Sequence, residues 1–181
     1  QLGEGLQESV HAPNLYNYKP SEKQQLFHEM QNKARLYIGG NRSGKSVGST
    51  LEGIYYVTHT HPWRKTPEGP IRGRVVAVDF LNGVDKIILP LWKQWLPKKY
   101  LINGSWEESY SRERHVLTLN NGSFVEFMSQ DQDLDKFAGS SRHFVHFDEE
   151  CPKTVWQECL ARLVDTDGDW WMSQTPVQGM E

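Results

Sequence analysis

Gly39-Gly40-Asn41-Arg42-Ser43-Gly44-Lys45-Ser46 fits the pattern G-x-x-x-x-G-K-[ST] without a mismatch, and that spacing is a device for holding a polyphosphate. The glycines let the backbone curl so that successive N–H groups point into a concave anion nest. A helix starting at the end of the loop adds its positive dipole end. Lys45 then reaches β- and γ-phosphate oxygens, and the Ser46 hydroxyl ligates Mg²⁺. A second cluster, Phe144-Val-His-Phe-Asp148-Glu149, reads as a buried strand that ends in two carboxylates. At the carboxyl end of a parallel strand these groups lie in the ligand crevice. Asp148 is the expected Mg²⁺ ligand, and Glu149 the base that orients and deprotonates a water, with Glu150 as the alternative base. The adjacent glutamate favours hydrolysis over transfer of phosphate to a bound acceptor. A third polar group, Ser173-Gln174-Thr175-Pro176, closes the last strand, where Gln174 and Thr175 are in position to sense a γ-phosphate. A solvated turn is the plainer reading of each of the last two clusters taken alone.

These residues need strands and helices to position them. Arg35–Ile38 reads as a buried strand feeding Gly39, and Val47, Leu51, Ile54 and Tyr55 form the apolar stripe of a helix behind the loop. Ser21-x-x-Gln24 is a capping box opening a short helix with Phe27 and Met30 on one side. Residues 59–73 form a Pro/Gly-rich loop, and 74–80 a second buried strand. Val84 to Trp95 repeats at helical spacing with Pro90 forcing a kink or break. His115–Phe127 reads as a hairpin around Asn121-Gly122, 143–147 as a strand, 155–164 as an amphipathic helix, and 169–173 as a last strand. Strands alternating with helices predict an α/β fold with a mostly parallel central sheet flanked by helices on both faces.

At 181 residues, 37% hydrophobic and 24% charged, the chain suits one globular domain. No apolar run approaches the roughly 20 residues that span a bilayer, and the N-terminus has no signal-peptide pattern, so no membrane partner is expected. The absence of an initiating Met points to a trimmed chain. A formal charge of −3 is not that of a dedicated nucleic-acid-binding domain, so any such contact must be a local patch or lie on a partner. Two cysteines, Cys151 and Cys159, are too few for a disulfide framework, and the expected setting is reducing and cytoplasmic.

Taken in order and spacing, these elements resemble the N-terminal ATPase domain of tailed-phage large terminase subunits. The likeness is carried by Tyr18-Lys-Pro-Ser-Glu-Lys-Gln24, Gly39–Ser46, Phe147-Asp-Glu-Glu150 and Thr175-Pro-Val-Gln-Gly-Met180, and it covers residues 18–181. It implies a P-loop NTPase of the ASCE type, with Walker A and Walker B elements, over residues 19–181 behind an arm at 1–18. It also implies ATP and Mg²⁺ as cofactors and ATP hydrolysis that drives double-stranded DNA into a viral procapsid in the host cytoplasm. Partners would be double-stranded DNA, further copies in a ring, and the portal and small terminase subunit. The resemblance matches Gln24 to an adenine-contacting glutamine, although the capping box already accounts for that residue. Arg42 matches a basic residue near the γ-phosphate, and Thr175 matches a motif that couples hydrolysis to movement. For an arginine supplied to a neighbour, Arg142 is the first candidate, ahead of Arg112 and Arg114, with a plain surface arginine as the alternative.

Two departures stand out. His146 interrupts the apolar run before Asp148, for which a satisfied core histidine is the expected explanation. The sequence also stops just past the coupling motif, so most of the lid and the whole nuclease domain are expected to be missing. His59-x-His61 reads as a loop feature rather than a metal site. Trp63, beside Arg64 and Lys65, is either ordinary loop chemistry or a DNA contact. Alternative functions are a helicase-like nucleic-acid translocase, a phosphotransferase, and a nucleotide-gated binding module without turnover.

Overall fold

The computed structural model describes residues 14–176. Helix α1 (Glu22–Glu29) opens with the expected capping box: Gln24 N donates to Ser21 Oγ, and Ser21 N donates to Gln24 Oε1. Phe27 is buried, whereas Met30 turns outward at the cap. Strand β1 (Ala34–Ile38) leads through the Gly-rich loop into helix α2 (Lys45–Thr58). Strand β2 (Arg72–Ala77) follows, then a π-helical segment (Phe80–Ile88) that passes into helix α3 (Leu89–Trp95). Asp79 and Phe80 therefore lie beyond the strand expected to contain them. Pro90 falls where π passes into α, and its missing N–H removes one bond to the preceding turn at that junction.

A short helix α4 (Trp106–Ser109) and strand β3 (Tyr110–Ser111) precede the hairpin of β4 (Val116–Thr118) and β5 (Phe124–Ser129). The hairpin turn has Gly122 at φ 84°. Strand β6 (Phe144–Asp148), helix α5 (Lys153–Ala161) and strand β7 (Asp169–Gln174) complete the domain. The seven strands form one sheet in the order β1-β7-β6-β2-β5-β4-β3. Neighbours from β1 to β5 run parallel, and β4 and β3 are antiparallel additions at one edge. This is the α/β architecture of a P-loop NTPase, with β7 inserted between the loop strand and the acidic strand.

Side chains alternate across the sheet and feed two cores. Tyr37, Val75, Phe127, Phe144 and Trp171 meet Leu51 and Ile54 of α2 and Trp92 of α3. On the other face Val76, Val145, Phe147 and Met172 meet Val155, Cys159 and Leu163. The strand β1 is buried on one face only: Leu36 and Ile38 are exposed, which corrects its reading as a fully buried strand. Gly73 is required by packing, because a Cβ there would sit 2.2 Å from the Phe144 ring.

A buried charge network joins the pieces behind the loop. Glu52 of α2 accepts from Arg35 Nη1 at 2.5 Å and pairs with His28 Nδ1 at 2.6 Å and His61 Nε2 at 3.1 Å. Arg35 lies between the Phe27 and Trp171 rings, 5.1 and 5.3 Å from their centroids. His28, Glu52 and His61 bring three ligand-type atoms together, but the surroundings suit a hydrogen-bond network rather than a metal. Arg35 already supplies the positive charge. His61 Nδ1 accepts from the N–H groups of Trp63 and Arg64, so it cannot carry the proton that a ring ligating through Nε2 would keep there. His59 is the left-handed cap of α2 and lies apart from this cluster, bonded to Thr66. Trp63 stacks on His28 at 5.7 Å, and Arg64 pairs with Asp169, so that loop is packed onto the domain.

Burial pushes the Glu52 carboxyl up, but donation from His28 and His61 and the charge of Arg35 outweigh it and hold it well below the usual carboxylate range. A depressed carboxylate stabilises the fold fully above its unfolded value of about 4.3, and that contribution fades as pH falls below it. Glu52→Gln leaves Arg35 buried without its counter-charge and is expected to cost about 3–5 kcal/mol in urea unfolding. It should also flatten the loss of stability below about pH 4.3 that the wild type shows.

Candidate nucleotide site

The loop Gly39–Ser46 is held from both sides. Gly39 N donates to Gln174 O at 3.1 Å, and Ser43 N to Gly40 O at 3.2 Å. Arg42 (φ 64°) and Gly44 (φ 81°) are both left-handed, which turns the backbone into the curl that an anion nest needs. Gly44 is the N-cap of α2 and offers no side-chain acceptor, so the first-turn N–H groups are open to a ligand at the positive end of the helix. A Cβ at Gly44 would fall 2.8 Å from Gln24 Nε2. That amide donates to Gly44 O at 2.9 Å while Gln24 Oε1 stays in the capping box. Gln24 is thus a buried clamp on the loop.

Lys45 is buried, and its Nζ lies 3.8 Å from Glu149 Oε1. Glu149 has φ 76°, a left-handed conformation that costs a non-glycine residue on the order of 1–3 kcal/mol. Its N–H donates to Ser173 O at 2.8 Å. Its carboxylate accepts from Thr175 N and from Thr175 Oγ1, both at 2.7 Å. Three predicted residues from three elements therefore meet at one point: Lys45 from the loop, Glu149 from the end of β6, and Thr175 from the end of β7. Glu150 is exposed and accepts from Gln174 Nε2 at 3.3 Å, away from Lys45's contact.

Asp148 is 7% exposed, and its Oδ1 accepts from Ser173 Oγ at 3.0 Å. Burial pushes its carboxyl up, the Ser173 bond and Lys45 pull it down, and the Glu149 charge raises it again, leaving it above the usual range. A buried carboxylate in that condition gains from a cation, and the carboxylate of Asp148 with the hydroxyl of Ser46 is a hard oxygen set that suits Mg²⁺. Asn41, Arg42 and Ser43 are exposed on the loop, and Gly40 with them.

Arg142 is not brought to this site. It precedes β6 at the amino end of the strand, about 20 Å of extended chain from Asp148. It is buried, with Nη2 2.7 Å and Nε 2.8 Å from Glu126 Oε1, and Nη1 on the carbonyls of Ser140 and Ser141. Its guanidinium is occupied in neutralising Glu126, so its expected presentation to a neighbour is corrected here. Arg112 and Arg114 are exposed in the β3–β4 turn. The antiparallel register puts that turn at the carboxyl end of the parallel strands, the same end as the loop.

One residue lining the site, Lys86, escaped the sequence. Lys86 lines a cleft of about 350 Å³ with Arg42–Val47, Ile87, Pro90 and Leu91, and its Nζ donates to Asn82 Oδ1 at 2.9 Å. The available signal was a lysine in the helical segment that follows the carboxyl end of a parallel strand. Ser173 and His146 stand behind Asp148, and the spacing of two puts His146 on the same face of β6 as Asp148. If Gln24 acts through the loop, Gln24→Ala should weaken ATP and GTP by the same factor, about 2- to 12-fold for one lost hydrogen bond. Parallel titrations of both nucleotides measure this, and a loss confined to ATP would instead mark a contact to the base.

No protein-family model matches the chain, and no curated protein matches it in sequence. Solved structures do. The ATPase domain of the large terminase of Thermus phage P74-26 is similar at TM-score 0.64 and 21% identity, over 92% of this chain and 68% of that one. The large terminase of a second, thermophilic bacteriophage is similar at TM-score 0.65 and 13% identity, over 87% of this chain and 40% of that one. That second terminase in complex with ADP gives TM-score 0.56 and 15% identity, over 85% of this chain and 38% of that one. Among the described residues, no helix is long and apolar enough to cross a membrane. The likeness is one of three-dimensional form: this chain has the fold of the ATPase domains of phage large terminases.

Proposed function

We propose that this domain hydrolyses Mg·ATP and that, as the motor ATPase of a viral terminase, it uses the energy to move double-stranded DNA into a procapsid. The observation that carries the reading is the meeting of Lys45, Glu149 and Thr175 at the end of the sheet. The N–H groups of Gly39–Ser46 and the Lys45 ammonium bind and orient the phosphates. Arg42, exposed on the loop, adds charge stabilisation for the γ-phosphoryl group. Ser46 and Asp148 would hold Mg²⁺, which would supply charge neutralisation to the phosphates. Glu149 accepts the proton of the attacking water once its carboxylate leaves Thr175. Thr175, on leaving Glu149, is free to meet the γ-phosphate, which ties the end of β7 to the state of the nucleotide.

The similar terminase of the thermophilic bacteriophage was solved with ADP, which supports a nucleotide in this fold. Double-stranded DNA, further copies of this chain in a ring, a portal and a small terminase subunit are the partners this reading implies, in the host cytoplasm. Arg112 or Arg114, exposed at the loop's end of the sheet, is better disposed than Arg142 to reach a neighbour's γ-phosphate. A helicase-like translocase would use the same site. A phosphotransferase has less support, because a glutamate directly after Asp148 favours activation of a water over binding of an acceptor.

Phosphate release from Mg·ATP without any acceptor is expected for the wild type, with turnover per subunit rising with protein concentration if an arginine is supplied in trans. Glu149→Ala should lower turnover by about 10²-fold or more while ATP still binds. Equal turnover in both proteins would point to a different base, and release that requires an added acceptor would point to a phosphotransferase.

A further inference from the structure

His146 lies two residues before Asp148, with its side chain on the same face of β6. It is 1% exposed and stacks on Trp171 at 5.8 Å with an interplanar angle of 20°. Its Nε2 is 3.2 Å from Ser173 Oγ, and Ser173, wholly buried, donates to Asp148 Oδ1 at 3.0 Å. A hydroxyl has one hydrogen to give. Because Ser173 gives it to Asp148, the hydrogen between the imidazole and the hydroxyl must come from Nε2. The tautomer is thereby fixed, with Nδ1 left as an acceptor. Nδ1 is buried and has no partner among the described residues.

An orphaned buried acceptor is destabilising, and an aliphatic side chain in this position would avoid it. The position therefore bears a cost that is offset by what Nε2 does. We propose that His146 is a positioning residue for the metal of the bound nucleotide: through Ser173 it holds the Asp148 carboxylate by Oδ1, leaving Oδ2 to meet the cation. Without the imidazole, Ser173 Oγ loses the donor that fixes its rotamer, and Asp148 Oδ1 is held only by a hydroxyl that can swing with it. The same role is seen generally where a second partner orients a ligating carboxylate. The inference rests on the nucleotide-hydrolase reading, in which Asp148 is a metal ligand.

The test is Mn²⁺ binding to the full chain saturated with ADP, read by electron paramagnetic resonance, beside ADP affinity measured without metal. His146→Leu should weaken Mn²⁺ about tenfold or more and leave metal-free ADP affinity unchanged. His146→Gln, whose amide N–H stands in for Nε2–H, should recover most of the loss. Ser173→Ala, which barely alters volume, should weaken Mn²⁺ to a similar extent, and adding His146→Leu to it should cost nothing further. Wild-type Mn²⁺ affinity in His146→Leu, or additive losses in the double variant, would overturn the relay while leaving the hydrolase reading intact. A wild-type chain that binds ADP but no Mn²⁺ would overturn both.

Discussion

The position of β7 between β1 and β6 is the constraint on which the site depends. Its last two residues hold both halves of the site: Gln174 O accepts from Gly39 N at the start of the loop, and Ser173 O accepts from Glu149 N after the acidic strand. Register does the rest. Ser173 lies opposite Tyr37 on one side and Asp148 on the other, and Trp171 lies opposite His146. A slip of one residue would send Trp171 out of the core and turn Ser173 away from Asp148. The buried Trp171 ring, whose Nε1 donates to Ser49 O of α2, guards against that slip. Packing on one face thus fixes polar geometry at the strand end.

The loop has a second support, reached through charge. Glu52 binds His28, and so ties the helix that carries Gln24 to the helix that begins at Lys45. Tyr18 completes the outer side of His28 with its hydroxyl 3.1 Å from Nε2. The clamp of Gln24 on Gly44 therefore depends on a buried carboxylate about two turns along α2 from the loop. Replacing such a network with apolar residues can leave stability unchanged, whereas removing one member exposes the others' desolvation. Here the network also sets a position, because α1 has few other polar ties to α2.

Much of this was legible in the sequence because the signals were local. The loop pattern, the Ser21 capping box, the Asn121-Gly122 turn and the acid pair after an apolar run each involve residues close together in the chain. The parallel sheet followed from alternation of strand and helix. What the sequence did not disclose came from distant residues. Nothing local in Arg142 shows that Glu126, sixteen residues earlier, would claim it across the sheet. Glu52 reads as an ordinary helical glutamate until Arg35, His28 and His61 converge on it. The π geometry of Phe80–Ile88 leaves no local mark, because apolar residues spaced three and four apart serve either kind of helix over so short a stretch. Val177–Met180, the last part of the terminase-like segment, and residues 1–13 of the arm expected over 1–18 lie outside the described residues.

The central claim is that the carboxyl end of this sheet is a nucleotide site whose Glu149 moves between Thr175 and a water. A crystal structure of the chain with Mg²⁺, ADP and beryllium fluoride tests it most directly. The β-phosphate is expected within the curl of Gly39–Ser46, with Lys45 Nζ on the phosphate oxygens and the Glu149 carboxylate released from Thr175 and facing the fluoride. A nucleotide seated elsewhere, or one seated in the loop with Glu149 still held by both Thr175 donors, would contradict it.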